Sequence, residues 1–232
     1  MTQKKTLTRI RILNWMYFSN ETISLTDGKG NTSALITGNN GAGKSTILDA
    51  MQMVLTGNTT HFNEAANEKS KRDLRGYVRC KVNTTNETYM RKGAVISNIA
   101  LEFFEEKEQR YFVCGAHLFS ADESDTVKRR WYIEEGNLDD ISFLTDEKKP
   151  SLPEQFRNKG NKIAFYNANE YKDRLRHRLG NLEDKFFDVL RKTIAFRPVD
   201  DVKEFINKYV LSEKEIDVNS LRESIEALNE LE

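Results

Sequence analysis

The chain has 232 residues, of which 38% are hydrophobic and 31% are charged, with 36 basic and 36 acidic side chains. This length suits one large domain or two small ones, and the balanced charge gives no overall preference for nucleic acid. No apolar run approaches the ~18 residues of a membrane helix, and the first residues lack the apolar segment of a signal peptide. We therefore expect a cytoplasmic protein that does not bind membranes. Because Cys80 and Cys114 lack metal-ligand spacing, we expect both to be free thiols.

The first two segments are predicted to be β-strands. Residues 7–13 alternate in polarity, which places Leu7 on one face and both Ile10 and Ile12 on the other. A second strand is expected at residues 21–25, and a turn rich in Gly and Asn follows it. The order of these segments predicts a pair of strands near the start of the chain.

The strongest motif lies at residues 38–45, G-N-N-G-A-G-K-S, and matches G-x-x-x-x-G-K-[ST] at every fixed position. The apolar run 34–37 before it predicts a buried parallel strand, and residues 46–55 after it predict a helix. The glycines permit tight turns, so the loop amides and the helix N-terminus can converge on one anion site. Lys44 is expected to bind the β- and γ-phosphates of ATP, and Ser45 to bind Mg²⁺. The alternative is a Gly-rich turn without a ligand.

A polar connector without predicted helices or strands follows at residues 57–93. Between residues 69 and 92 it carries eight basic and two acidic side chains. A basic segment beside an ATP site can contact the phosphates of DNA, and a solvated charged loop is the open alternative. The candidate DNA contacts are Lys71, Arg72, Arg75 and Arg79.

Three side chains in or between the predicted strands have two interpretations each. Trp15 and Tyr17 lie where an aromatic ring could stack on a nucleotide base, but a core or surface position is the simpler expectation. His117 falls in the middle of a predicted strand and is expected to be packed or on the surface rather than to bind a metal.

The second half of the chain changes from strand to helix periodicity. Residues 94–135 predict an antiparallel meander of three strands, a loop follows, and residues 162–166 predict one more strand. Helical spacing then appears at residues 171–179, 186–194 and 202–211. Heptad spacing at the end of the chain predicts the first turns of a coiled coil, through Leu221, Ile225, Leu228 and Leu231.

Two motifs of a complete ATPase are missing from the sequence. No apolar strand after the P-loop ends in the Asp that would hold Mg²⁺, and no Ser-Gly-Gly signature occurs. The nearest candidate, Phe186-Phe187-Asp188, lies within a helical pattern. The chain is therefore predicted to bind nucleotide without carrying the full set of residues for hydrolysis.

These motifs together resemble the N-terminal head half of the SMC-like ATPases. The resemblance rests on N-W-x-x-F at residues 14–18 and on I-T-G-N-N-G-A-G-K-S-T-I-L-D-A at residues 36–50. The later segments F-D-V-L-R-K-T at 187–193 and D-V-K-E-F-I-N-K-Y-V-L at 201–211 are similar to the MukB/MksB/JetC (Wadjet) condensin-like group.

The resemblance implies an α/β fold of the P-loop NTPase class, an ABC/SMC-type head half with an antiparallel β meander and a C-terminal helical part leading into a coiled coil. It implies an N-terminal lobe at residues 1–211 and the start of the coiled coil at 212–232. The implied cofactors are ATP and Mg²⁺, with Ser45 as the metal ligand. The implied nucleotide-binding residues are Asn39, Asn40, Gly41, Ala42, Gly43, Lys44, Ser45 and Thr46.

The resemblance also implies partners and a function. The C-terminal half of the same head would supply the missing motifs, and a second head would complete a homodimer that encloses ATP. Double-stranded DNA and kleisin-type and accessory subunits are the other implied partners. The whole protein would then be a nucleoid-associated ATPase for DNA translocation, loop extrusion or anti-plasmid defence, of which this chain is an inactive fragment.

Two other functions stay open from the sequence. One is the head of a RecF/RecN/SbcC-type DNA-repair or anti-phage ATPase that is coupled to a nuclease. The other is a small-molecule or protein kinase on a P-loop fold, against which the predicted meander and the missing lid arginines argue.

Overall fold

The computed structural model describes residues 4–27, 33–60, 62, 73–82, 88–124, 126–144 and 164–194. All of them belong to the first of two units, which comprise residues 1–197 and 198–232. The predicted helix at 202–211, the coiled coil and the boundary at residue 212 lie outside the described residues and stay predictions.

A six-stranded sheet forms the framework of the fold, with the order β2-β1-β3-β4-β5-β6 and antiparallel pairing throughout. Its strands are β1 (Lys5–Trp15), β2 (Phe18–Ser24), β3 (Val95–Glu105), β4 (Arg110–Ser120), β5 (Lys128–Glu135) and β6 (Ala164–Phe165). The first two predicted strands and the antiparallel meander are therefore confirmed.

Four α-helices accompany the sheet in the part of the chain that the structure describes. They are α1 (Lys44–Thr56), α2 (Leu74–Arg79), α3 (Ala168–Arg178) and α4 (Asp184–Ile194). The helices predicted after the P-loop and at residues 171–179 and 186–194 are confirmed. None of these described helices is long and apolar enough to cross a membrane.

Helix α2 corrects the prediction of an irregular connector at residues 57–93. Asp73 caps this helix, because its carboxylate accepts a 2.6 Å hydrogen bond from the amide of Gly76. An isolated antiparallel bridge between Lys81 and Tyr89 follows. A helix of six residues is too short to produce a periodic apolar pattern, which is why the sequence pattern did not predict it.

The two faces of the sheet have different coverings. The larger core lies where α1 and α3 pack on the sheet, and it contains the apolar side chains Ile10, Ile12, Ile99, Leu101, Met53, Val54, Tyr171 and Leu175. The smaller core on the other face contains Leu13, Ala100, Val113, Tyr132, Leu138, Ile141 and Phe143. A short 3₁₀ turn at Leu138–Asp140, within a segment predicted to be loop, supplies part of the smaller core.

A β-bulge in β1 changes the predicted alternation. The register against β3 shifts between Leu7 and Arg9. As a result Leu7 packs against the larger core together with Ile10, although strict alternation had placed the two on opposite faces. The bulge also lets neighbouring side chains reach one carboxylate, since Thr8 Oγ1 and Arg9 Nε donate to Glu102 Oε1 at 2.6 Å and 2.8 Å.

The prediction of a buried parallel strand at residues 34–37 was wrong. This run has no regular secondary structure, and Leu35 is 87% exposed. A strand needs a hydrogen-bonded neighbour, and the described sheet ends at β2 on one side and β6 on the other without including this run. Ala34 and Leu35 therefore remain at the surface, while Ile36 is half-buried against the larger core.

Candidate nucleotide-binding site

The predicted P-loop is a tight turn that leads directly into α1. Gly41 and Gly43 have φ angles of 85° and 93°, which is the left-handed region that favours glycine. A Cβ atom at Gly43 would also lie 3.0 Å from the ring of Phe18 in β2. Glycine is therefore required at position 43 for two independent reasons, its backbone angle and the close approach of the sheet.

The N-terminus of α1 is open to an anion. Gly43 occupies the N-cap position and provides no side-chain cap, and the first turn contains no acidic residue. The first amides of a helix have no acceptor within the helix, and the helix dipole makes this end positive. A phosphate group can therefore accept these hydrogen bonds without displacing a side chain.

The ammonium group of Lys44 lies over the loop. Its Nζ donates hydrogen bonds to the main-chain oxygens of Gly38 at 2.6 Å and Asn39 at 3.0 Å. These two carbonyls hold the ammonium group next to the loop amides, so that the ammonium group and the amides could bind the same phosphate. A phosphate oxygen is a stronger partner than a neutral carbonyl, because the hydrogen bond then joins two opposite charges.

The eight predicted nucleotide-binding residues form one continuous loop and helix start. The exposed members are Asn39, Asn40, Gly41, Ala42 and Ser45, while Gly43 and Lys44 are half-buried and Thr46 is buried. The open hydroxyl of Ser45 fits the predicted role as a Mg²⁺ ligand. Mg²⁺ usually takes its other ligands from phosphate oxygens and water, and no group of three His, Cys, Asp or Glu side chains among the described residues offers an alternative metal site.

The sheet supports the start of α1 through Trp15. The indole is fully buried, and its Nε1 donates a 3.1 Å hydrogen bond to the main-chain oxygen of Thr46. Its ring lies 4.5 Å from that of Tyr77, whose hydroxyl donates a 2.5 Å hydrogen bond to Asp49 of α1. Trp15 is therefore a core residue, as the simpler of the two expectations had it.

Tyr17 has the opposite environment, because its side chain is 58% exposed. It lies in the turn between β1 and β2. Trp15, before the turn, bonds to Thr46 of α1, and Phe18, after the turn, lies beside Gly43 of the P-loop. The sequence did not predict these two contacts, since nothing in the N-W-x-x-F pattern specifies what the rings touch.

Arg79 is a correction to the predicted DNA contacts. Its side chain is fully buried, and the guanidinium donates to the main-chain oxygens of Arg91, Gly93 and Ser120 and to the hydroxyl of Ser120, at 2.8–3.2 Å. These bonds join α2, the segment before β3 and the end of β4. A side chain so enclosed stabilises the fold and is not available to a DNA phosphate.

The other three predicted DNA contacts differ from Arg79. Arg75 is half-buried, its guanidinium donates a 3.2 Å hydrogen bond to the main-chain oxygen of Glu123, and it lies 5.8 Å from the ring centre of Tyr89. Lys71 and Arg72 lie outside the described residues. The DNA-binding role of all three stays a prediction.

The predicted roles of His117 and the cysteines agree with the structure. His117 is 8% exposed, and burial together with the neighbouring charge of Arg130 lowers its pKa to about 4. Cys80 and Cys114 are buried, and neither forms a disulfide. Burial raises the pKa of Cys114 to about 12, so it is an unreactive core residue.

Comparison with known protein families supports the loop assignment. A family model described as the P-loop containing region of AAA domain matches residues 7–69, a range that includes most of β1 and all of β2, the Gly-rich loop and α1. A comparison with curated proteins found no match. The chain therefore contains a P-loop NTPase-like region in a mixed α/β fold with an antiparallel sheet.

Proposed function

We propose that the chain is the ATP-binding lobe of an SMC-like ATPase head that acts on double-stranded DNA. The observation that carries this proposal is the P-loop itself, which is formed by Gly41, Gly43 and Lys44 at the open N-terminus of α1. The sequence adds that the acidic Walker B strand and the Ser-Gly-Gly signature are missing, so this lobe needs further protein to hydrolyse ATP.

The exposed run at residues 34–37 supports a second lobe as the partner. Ala34, Leu35 and Thr37 are exposed and Ile36 is half-buried, although the run leads directly into the P-loop. Burial of a Leu or Ile side chain is worth roughly 1.5–3 kcal/mol, so exposure of this run is costly. Strands from the C-terminal half of the same head would pair with the run and bury it, and they would bring the missing acid next to Ser45.

Each residue of the loop has a role in this proposal. The amides around Gly43 bind the phosphates of ATP, Lys44 neutralises the charge of the β- and γ-phosphates, and Ser45 holds Mg²⁺. When it is bound, Mg²⁺ neutralises phosphate charge and orients the nucleotide. The exposed Asn39 and Asn40 leave one side of the loop open, which is where a second head would cover the nucleotide.

The antiparallel sheet favours this function over a P-loop kinase. Every pair in the six-stranded sheet is antiparallel, whereas a kinase on a P-loop fold needs a parallel central sheet with its active site at the strand ends. The lid arginines of such a kinase have no counterpart in the sequence.

The test is ATP binding and hydrolysis by the full-length protein, with and without double-stranded DNA. Lys44→Ala should weaken ATP binding by about ten- to a hundredfold, since a charge-assisted hydrogen bond is worth roughly 1.5–3 kcal/mol. The matched control is Lys107→Ala, which removes an exposed lysine from the turn between β3 and β4. DNA-stimulated hydrolysis that Lys44→Ala abolishes supports the proposal. Hydrolysis that DNA leaves unchanged, or transfer of phosphate to a small acceptor, overturns it.

A further inference from the structure

A cavity lies at the β5 side of the sheet, and none of the residues that line it belongs to the Gly-rich loop. Its volume is about 590 Å³, which is within the roughly 300–1,000 Å³ range of small-molecule pockets. We call it the β5 pocket and define it by six of its lining residues, His117, Phe119, Lys128, Arg130, Trp131 and Tyr166. The P-loop function does not use any of them.

Strand pairing places four of these side chains together. His117 of β4 is directly opposite Arg130 of β5, and Phe119 is directly opposite Lys128. Directly opposite residues of an antiparallel pair share one face of the sheet, and residues two apart on a strand do so as well. One histidine, one aromatic ring and two cations therefore form a compact group on a single face.

The charge of the β5 pocket is positive. Lys128 is exposed, Arg130 is half-buried, and Arg129, which also lines the cavity, donates a 2.5 Å hydrogen bond to the hydroxyl of Thr59. The lining residues that the structure describes include no acidic side chain. The electrostatics therefore favour an anionic ligand.

An aromatic side chain forms one wall beside the cations. The guanidinium of Arg130 lies 4.7 Å from the ring centre of Tyr166 and donates a hydrogen bond to its hydroxyl, while the Tyr166 side chain is 68% exposed. An exposed ring next to an arginine is a platform on which a planar base can stack. Phe119 adds a second ring to the same cavity.

His117 adds a polar group that the fold leaves unsatisfied. The side chain is 8% exposed and lines the cavity, and its Nδ1 has no hydrogen-bond partner among the described residues. A buried polar atom without a partner costs roughly 1–3 kcal/mol, and a rotation of the ring that turned this atom toward the cavity would let a ligand recover that cost. Because burial lowers its pKa to about 4, the imidazole is neutral at physiological pH and offers both a donor and an acceptor.

We propose that the β5 pocket is a second ligand site that binds a nucleoside phosphate. Lys128 and Arg130 bind the phosphate, Tyr166 stacks on the base, and His117 binds a polar edge of the ligand. A free nucleotide and the end of a single nucleic-acid strand present the same chemistry, and the arms of the experiment distinguish them.

The experiment uses the protein with Lys44→Ala, which weakens binding at the P-loop. AMP, a 5′-phosphorylated single-stranded oligonucleotide, a duplex of the same length and inorganic phosphate are titrated separately. Binding is measured by calorimetry, and its location by the NMR shift of the His117 ring. We expect AMP or the single strand to bind and to shift this ring, with the tighter of the two identifying the source. The duplex and inorganic phosphate should shift this ring less, because the paired bases of a duplex are stacked on one another and inorganic phosphate has no base to stack on Tyr166.

Two double variants then test the cations. Lys128→Gln with Arg130→Gln should weaken binding at least about tenfold, since two charge-assisted hydrogen bonds are lost. Lys107→Gln with Arg174→Gln removes the same charge from exposed positions elsewhere and should change affinity by less than about twofold. Thermal unfolding confirms that both variants are folded. The proposal is overturned if no probe shifts the His117 ring, if the duplex shifts this ring as much as the single strand does, or if both variants lose affinity equally.

Discussion

The indole nitrogen of Trp15 donates a 3.1 Å hydrogen bond to the main-chain oxygen of Thr46. Trp15 is the last residue of β1, and Thr46 lies in the first turn of α1. One side chain therefore joins the end of β1 to the helix turn that follows the Gly-rich loop. The position of the phosphate-binding amides depends on the sheet through this bond, in addition to the contact between Phe18 and Gly43.

The first prediction follows from this bond. Trp15→Phe keeps an aromatic ring in the core but removes the donor, so we expect ATP to bind about three- to tenfold more weakly, in line with a net hydrogen-bond contribution of roughly 0.5–1.5 kcal/mol. The control is Phe112→Leu, which removes a buried ring stacked 5.1 Å from that of Phe103. That variant should lose stability without losing ATP affinity. Equal losses of affinity in both variants would show that Trp15 acts only through general packing.

The second prediction concerns Gly43. Gly43→Ala introduces a Cβ 3.0 Å from the Phe18 ring at a φ of 93°, so the loop must shift and ATP binding should fall by at least tenfold. Gly93→Ala is the control, because its φ of 65° is also left-handed but no atom lies within 4 Å of the added Cβ. This control should cost only about 1–2 kcal/mol of stability and leave ATP affinity unchanged. If both variants bind ATP normally, the loop tolerates a side chain and our account of its geometry is wrong.

The sequence predicted the features that depend on local order. The sequence pattern identified all six described strands by their interiors, including residues 162–166 for β6, and the P-loop motif located α1 to within a few residues. These signals are local, since strand alternation and helix spacing are read from residues close together in the sequence. The loop amides follow from the same motif, because glycines at fixed spacing determine the turn.

Features that depend on distant contacts could not be predicted in this way. An apolar composition at residues 34–37 predicted burial, but burial requires neighbouring strands, and the described sheet provides none. A basic composition around Arg79 predicted a surface role, yet its guanidinium satisfies carbonyls from two other segments. Composition gives the chemistry of a side chain, while its partners depend on tertiary structure.

The third prediction tests the structural role of Arg79. Arg79→Ala leaves several buried acceptors without a hydrogen-bond donor. Each unsatisfied acceptor costs roughly 1–3 kcal/mol, so the free energy of unfolding should fall by at least ~3 kcal/mol. Arg75→Ala removes a half-buried arginine from the same helix and should cost less than half as much. Chemical denaturation of both variants measures the difference. A stable Arg79→Ala variant would return this residue to the candidates for DNA binding.

The fourth prediction concerns the remaining candidate DNA contacts. Each phosphate contact contributes about −0.9 to the slope of log affinity against log salt concentration for duplex DNA. Lys71→Gln with Arg72→Gln in the full-length protein should therefore flatten this slope by up to about two units. Lys107→Gln with Arg174→Gln is the control for a change of total charge. An unchanged slope in the Lys71 and Arg72 variant would mean that this segment is a solvated loop.

The last prediction concerns acid stability and the carboxylate of Glu105. Glu105 is the last residue of β3, and its side chain is 3% exposed. Its carboxylate forms ion pairs with Lys5 at 3.2 Å, Arg110 at 3.1 Å and Arg178 at 2.7 Å. Burial alone would raise its pKa, but hydrogen bonds from Arg178, Arg110 and Lys5 outweigh burial and lower the pKa to about 2. The ion pairs join the start of β1, the hairpin of β3 and β4, and the end of α3.

The sign of the pH effect follows from this shift. An unfolded Glu has a pKa near 4.5, so the contribution of Glu105 is fully present above that pH and is lost as pH falls from about 4.5 to about 2. Within this window one such carboxylate adds up to about 1.4 kcal/mol per pH unit to the slope of unfolding free energy.

Glu105→Gln should therefore flatten the acid limb and cost up to about 3–5 kcal/mol at pH 7, because a cluster of cations loses its counter-charge. Glu106→Gln, at the exposed neighbouring position, should change neither quantity. Chemical denaturation between pH 2 and pH 7 measures both, and an unchanged slope in Glu105→Gln would assign the acid limb to other carboxylates.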